Sequence, residues 1–121
     1  MRYMCLVYFE GRALDSLSPG DKETLDRESL AYDVDLGRSG HFIAAEALQS
    51  TNSAMTVRVR NGRISATDGP FAETKEQLGG FILIEARDLN EAIQVAAKIP
   101  LAKLGSIEVR PVWILKRSGP K

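Results

Sequence analysis

The chain reads as an α+β domain, with helices on one face of a mainly antiparallel sheet. Three observations predict this. Residues 3–9 are apolar on both alternating faces, two amphipathic segments begin at helix-capping residues, and an Asn61-Gly62 pair sits between alternating runs. The 121 residues hold one domain, residues 1–121, and leave no length for a second.

Tyr3, Cys5, Val7 and Phe9 alternate with Met4, Leu6 and Tyr8, so the first strand is covered on both faces and belongs in the middle of a sheet. Ser18-Pro19-Gly20-Asp21 opens a helix. Ser18 can cap, Pro19 suits the first helical position, and Asp21 favours the positive end of the dipole. Leu25, Ser29, Tyr32 and Leu36 recur at helical spacing as one buried stripe. Lys22, Glu23, Asp26, Arg27, Asp33 and Asp35 then occupy the remaining faces, and Gly37 or Gly40 ends the helix.

Residues 41–48 read as a second strand. Met55, Val57 and Val59 alternate with Thr56, Arg58 and Arg60, the pattern of a half-buried strand. Asn61-Gly62 follows, and both residues tolerate the positive φ of a tight hairpin turn. Counting outward places Val59 opposite Ile64 and Val57 opposite Ala66, which makes one continuous apolar face.

Asp68-Gly69-Pro70 breaks the chain, and residues 73–77 are expected to form a short helical turn. Residues 80–86 are another apolar strand. Asp88 with Glu91 matches a capping box, and Leu89, Ala92, Ile93, Ala96 and Ala97 supply the helical stripe before Pro100. Residues 106–115 make the last strand, with Pro111 marking an edge or a bulge. The order β-α-β-β(-β)-β-α-β is most simply ferredoxin-like. Apolar residues on both faces of the strands require a cover for the open face, so a homodimer with sheets face to face is expected.

Composition excludes several function classes. Lys+Arg and Asp+Glu balance at 16 each, and that argues against nucleic acid as a partner. The balance hides a gradient: residues 98–121 carry six basic side chains and one acidic, ending in the basic tail Lys116–Lys121. One Cys allows no internal disulfide. The apolar start stops near Phe9, short of a secretory leader, and no run reaches the ~20 residues of a membrane helix. A cytoplasmic location with no membrane partner is therefore expected. Neither HExxH, CxxC, GxxxxGK[ST] nor GxGxxG occurs, so no metal or cofactor is expected.

Few residues are left to carry chemistry. His41 is the single imidazole, an acid/base at neutral pH or a partly exposed strand-start residue. Cys5 lies in the most apolar strand and reads as an inert core thiol. Gly79-Gly80 precedes a strand rather than following one, which indicates close packing or a bulge instead of a phosphate loop. Asp68-Gly69-Pro70-Phe71 and the following Glu73, Lys75 and Glu76 concentrate ionisable groups beside an apolar anchor, although Asp68-Gly69-Pro70 is also ordinary turn chemistry. Glu46 is a lone carboxylate between Ala45 and Ala47, facing either a cavity or solvent.

The run from Asp68-Gly69-Pro70-Phe71 through Glu73-Thr74-Lys75-Glu76 to Gly79-Gly80-Phe81 resembles the signature of the DGPF group of YCII-related proteins. Arg2–Tyr8, Thr56–Arg63, Asp88–Ala92 and Ile107–Trp113 match in order, so the resemblance spans nearly the whole chain. It implies a ferredoxin-like fold assembled into a dimeric α+β barrel. Some such relatives are small enzymes, including a dehydrochlorinase of aromatic degradation, and several bacterial DGPF genes lie beside those for alternative sigma factors. A functional link to such a factor is thereby implied. The catalytic His proposed for YCII relatives lies on the first helix. No His occurs between Pro19 and Arg38, so that role is not carried over, and Asp68 remains the best single catalytic candidate, with His41 second.

Three functions stay open. The first is a ligand-binding accessory or regulatory protein using Phe71, Glu73, Lys75 and Glu46 around a small molecule. The second is an acid/base enzyme of lyase or isomerase type on a cyclic or aromatic substrate, with Asp68 as the base. The third is a ligand-free dimeric scaffold.

Overall fold

The computed structural model describes residues 1–115; the basic tail from Lys116 onward lies outside the described residues. Strands β1 (Arg2–Phe9), β2 (Phe42–Ala47), β5 (Gln77–Glu85) and β6 (Ser106–Pro111) form one sheet in the order β2-β5-β1-β6. Every neighbouring pair is antiparallel. Helix α2 (Pro19–Arg38) connects β1 to β2 and passes over β5. Helix α3 (Leu89–Ala97) connects β5 to β6 and passes over β1. The remaining strands, β3 (Met55–Arg60) and β4 (Arg63–Asp68), form a separate two-stranded sheet. Among the described residues neither sheet closes into a barrel.

The local signals act as their chemistry requires. Ser18 Oγ accepts from the Asp21 N–H at 3.1 Å, with Pro19 in the first turn of α2. The helix ends through Gly40 at φ 81°. The His41 N–H donates to Leu36 O at 2.9 Å and Gly40 N–H to Gly37 O at 3.3 Å, so a left-handed glycine closes the last turn. Asp88 Oδ1 accepts from the Glu91 N–H at 2.9 Å at the start of α3. Glu91 reaches back one residue further than the capping-box pattern, to the Arg87 N–H. Asn61 and Gly62 both have positive φ, and Val59 faces Ile64 as Val57 faces Ala66.

Three expectations are corrected, and one element was not anticipated. Residues 73–77 form no helical turn; Gln77 Nε2 instead donates to Ala72 O and Thr74 O, bracing an irregular bend. The last strand stops at Pro111 rather than Leu115, because its partner β1 begins at Arg2: the Val112 N–H still donates to Arg2 O at 2.9 Å, and no strand lies beyond. β6 is an edge strand, where a proline is tolerated. A five-residue helix, α1 (Gly11–Asp15), follows β1 with no capping side chain to announce it. The apolar face of the β3–β4 hairpin is not buried, since Met55, Val57, Val59 and Ile64 are all more than half exposed.

The core lies between the main sheet and its helices. Tyr3, Cys5 and Val7 of β1 and Ile82 and Ile84 of β5 meet Ala92, Val95 and Ala96 of α3. The two long helices contribute unequally: α3 buries three residues and α2 only Leu36, with Leu25, Ser29 and Tyr32 half-buried. Met4, Leu6, Tyr8, Phe81 and Leu83 line the opposite face of the sheet and are half-buried. Among the described residues no helix is long and apolar enough to cross a membrane.

Candidate functional site

The Asp68–Phe81 segment begins on the hairpin and ends inside the main sheet. Asp68 closes β4 opposite Met55, on the same face as Val57 and Val59. Gly69, at φ 102°, is pinned by its N–H to Ala54 O at 2.8 Å and by Thr56 Oγ1 donating to Gly69 O at 2.8 Å. The backbone of the turn is thus held without the Asp68 carboxylate, which has no hydrogen-bond partner among the described residues. Phe71 is 81% exposed and Glu73 is exposed. Lys75 Nζ lies 3.6 Å from Glu10 Oε1 in a solvent-facing ion pair.

Further along, Gly79-Gly80 has a structural explanation. Val7 pairs with Gly80 and Tyr8 with Leu78, so Gly79 is the extra residue of a bulge. A Cβ on Gly79 would meet the Phe9 ring at 2.2 Å, and one on Gly80 would meet Glu46 O at 2.8 Å. The glycines therefore let β5 pass close to β1 and β2, and the packing reading of this pair holds.

That close approach leaves space beside it. A cavity of about 410 Å3 opens between α2, the β2 edge of the sheet and the turn at residues 100–103. Val7, Ile82, Ile99 and Leu101 make an apolar floor. Ser29, Ala45, Ala47, Gly79 and Gly80 are too small to fill the room between helix and strand, which is why the cavity exists. Asp26 and Asp33 of α2 bring two carboxylates to its walls. Glu46 of β2 borders the cavity, but its pairing with Phe81 turns its side chain to the opposite face of the sheet. Burial pushes the Asp33 carboxyl above the ordinary aspartate range.

His41 serves elsewhere. Its Nδ1 lies 2.7 Å from Ser39 Oγ and its Nε2 3.3 Å from Glu91 Oε1, beside a second cavity of about 480 Å3 between α2 and α3. Arg87 Nη1 binds Glu91 Oε2 at 2.8 Å. The Arg87 backbone N–H, the His41 ring and the Arg87 guanidinium together hold the Glu91 carboxyl below the usual range. A Ser-His-carboxylate line of this kind brings nucleophilic catalysis to mind. The donors an oxyanion needs are already used, however: the N–H groups of Ser39, Gly40 and His41 bond to Asp35, Gly37 and Leu36 carbonyls. The cluster instead clasps the end of α2 to the start of α3. Tyr32 adds to the clasp, its hydroxyl donating to Val95 O at 2.6 Å, and burial foremost raises that phenol to about 12. Cys5 is an inert thiol, buried and pushed up to about 11 by desolvation.

The chain thus distributes the candidate residues over three places. Asp68, Phe71, Glu73 and Lys75 lie on or after the hairpin, Glu46 lies on edge strand β2 bordering the α2–β2 cavity, and His41 lines the α2–α3 cavity. Asp33, Asp26 and Ser29 are cavity residues that sequence reasoning left on solvated faces or in the core stripe. Their spacing held a signal: residues 26, 29, 30 and 33 fall on one helical face.

The family model of the YCII-related domain matches residues 1–116. The chain is also similar to an uncharacterized protein of Rhizobium meliloti (strain 1021), 36% identical over 118 residues that make up 96% of this chain and 95% of the relative. A family match over residues 1–116 and a relative matched over nearly the full length of both chains place this chain in the family of YCII-related domain proteins.

Proposed function

We propose that this protein is a small-molecule-binding accessory or regulatory protein of the cytoplasm that works as a homodimer, with the ligand held in the α2–β2 cavity. The observation that carries the reading is the cavity itself. Its volume of about 410 Å3 lies in the range of ligand sites, roughly 300–1,000 Å3, and an apolar floor meets a few polar groups there.

Two apolar surfaces support the dimer. The open face of the main sheet is centred on Met4, Leu6, Phe81 and Leu83, with charged Glu46, Glu108 and Arg110 on the edge strands. An apolar centre inside a polar rim is the anatomy of a protein interface. The hairpin presents Met55, Val57, Val59 and Ile64 to solvent, and an isolated two-stranded sheet is marginal in water without a surface to pack on. The strand order β2-β5-β1-β6 suits a ferredoxin-like unit, and a second copy against its open face completes a dimeric α+β barrel. Asp68 shares the apolar face of the hairpin, so on this reading it is presented at the junction between copies.

Ala47 is exposed at the cavity wall, so Ala47→Phe fills the cavity without disturbing the core. Ligand-observed NMR against a fragment collection is expected to give hits that this variant loses, on a protein whose light-scattering mass is twice 13.3 kDa. Hits that persist in Ala47→Phe would place binding outside the cavity. A mass near 13.3 kDa at micromolar concentration would remove the dimer.

A further inference from the structure

We propose that the α2–β2 cavity selects an organic cation, a protonated amine carried on an apolar body. The inference rests on reading that cavity as the binding site, and it adds the chemical class of the ligand.

Charge sign is the first argument. Asp26 and Asp33 bring their carboxylates to the cavity, and no Lys, Arg or His lines it among the described residues. Neither of the two carboxylates enters an ion pair with another described residue. An anion entering the cavity meets only like charge, whereas a cation meets unpaired partners.

Placement is the second. Asp33 is half-buried at the wall of an apolar floor formed by Val7, Ile82, Ile99 and Leu101. A carboxylate drawn out of water with no partner is costly, and a cation bound beside it offsets that cost. Asp26 is exposed, so it raises the local concentration of cations without being desolvated.

The third argument separates an organic cation from a metal ion. Among the described residues no three His, Cys, Asp or Glu side chains converge closely enough to hold a metal. The two carboxylates stand seven residues apart on α2, and the floor is apolar. An ammonium group at Asp33 with a hydrocarbon portion over Ile82 and Leu101 uses both features.

The test compares three probes of one shape and three charges: benzylamine, benzyl alcohol and benzoate, titrated near pH 7 by calorimetry or NMR. Benzylamine is expected to bind at least about tenfold more tightly than benzyl alcohol, the scale of one charge-assisted contact, with benzoate weakest. Asp33→Asn is expected to bring benzylamine down to the affinity of the alcohol and leave the alcohol unchanged. Asp26→Asn, on an exposed side chain, should weaken benzylamine alone, and this variant carries the test if Asp33→Asn fails to fold. Equal binding of amine and alcohol, both abolished by Ala47→Phe, would overturn the cation preference and leave the cavity as a binding site. Absence of binding by all three probes, or binding untouched by Ala47→Phe, would overturn the binding-site reading and this inference with it.

Discussion

The central β1–β5 pair and the β3–β4 hairpin are both antiparallel, both carry β-branched residues in alternation, and both are held in register by a glycine device. In the first, Gly79 forms a bulge that keeps β5 against β1, and Cys5 and Ile84 are wholly excluded from solvent. In the second, Asn61-Gly62 sets a tight turn, and Val57 and Ile64 remain 61% and 78% exposed. Alternation within a strand encodes an apolar face, and whether that face is buried depends on what packs against it. The main sheet has α2 and α3 for that purpose. The hairpin has no helix of its own, so its apolar face waits for another surface.

The largest expected effect breaks the buried half of this comparison. Ile84→Ala empties a fully buried site between β1 and α3 and is expected to cost about 4 kcal/mol in urea denaturation. Gly105→Ala follows at ~3 kcal/mol or more, because a Cβ there would stand 2.0 Å from the Tyr8 carbonyl oxygen and backbone cannot swing aside. A loss under 1 kcal/mol for either would mean that the sheet adjusts far more easily than its packing implies.

The matching change in the hairpin is expected to behave differently. Val57→Lys at protein concentrations low enough for single chains should alter stability by less than about 0.5 kcal/mol, as for an exposed position. At concentrations where copies associate, the same variant is expected to halve the light-scattering mass and lower the melting temperature of the assembly. If its cost is large and independent of concentration, the hairpin face is already packed within one chain, and the contrast with β1–β5 disappears.

Residues whose roles are local were the legible ones. Ser18, Asp88, Asn61-Gly62 and Pro111 act through bonds to their near neighbours or through their own backbone limits, so the elements and the hairpin register could be read directly. Glu46 was singled out because a charge between two alanines is odd in a strand; it borders a cavity, with its exposed side chain on the alternate face beside Phe81. Asp33 was not, because its standing depends on residues far away in the chain. It lies beside the half-buried stripe of α2, and only the small Ala45, Ala47 and Gly80 across the gap turn that position into a cavity wall. The bend at residues 73–77 escaped for a similar reason: its Glu and Lys content suits a helix, but Gln77 spends its amide on Ala72 and Thr74 carbonyls.

A smaller effect concerns the clasp between the helices. The Glu91 carboxyl is held below its ordinary range, so its ionised form stabilises the fold at pH values above the unfolded carboxylate value of about 4.3. That contribution is lost as pH falls through the lower folded value. Glu91→Gln is therefore expected to melt earlier than the parent protein near pH 7, with the gap closing below about pH 3. A gap that persists unchanged in acid would show that hydrogen-bond geometry to the Arg87 N–H, rather than charge, holds the clasp.

Asp33 runs with the opposite sign and the smallest size. Its pKa is raised by burial, so the fold favours the protonated form, and the carboxylate detracts from stability once pH exceeds the unfolded value of about 3.9. Asp33→Asn is expected to raise the melting temperature slightly near pH 7 and to leave it unchanged below about pH 3. Benzylamine should raise the melting temperature of the parent protein and not that of the variant, since a ligand stabilises only the form it binds. The two measurements are coupled: the charge that detracts from stability in the empty cavity is the charge that a cation pairs with. A core position would have been relieved of such a cost by a neutral side chain of the same shape, as the uncharged, tightly filled β1–β5 interface shows. Retention of a half-buried, unpaired carboxylate on α2 is the expected compromise where binding, rather than stability, decides the residue.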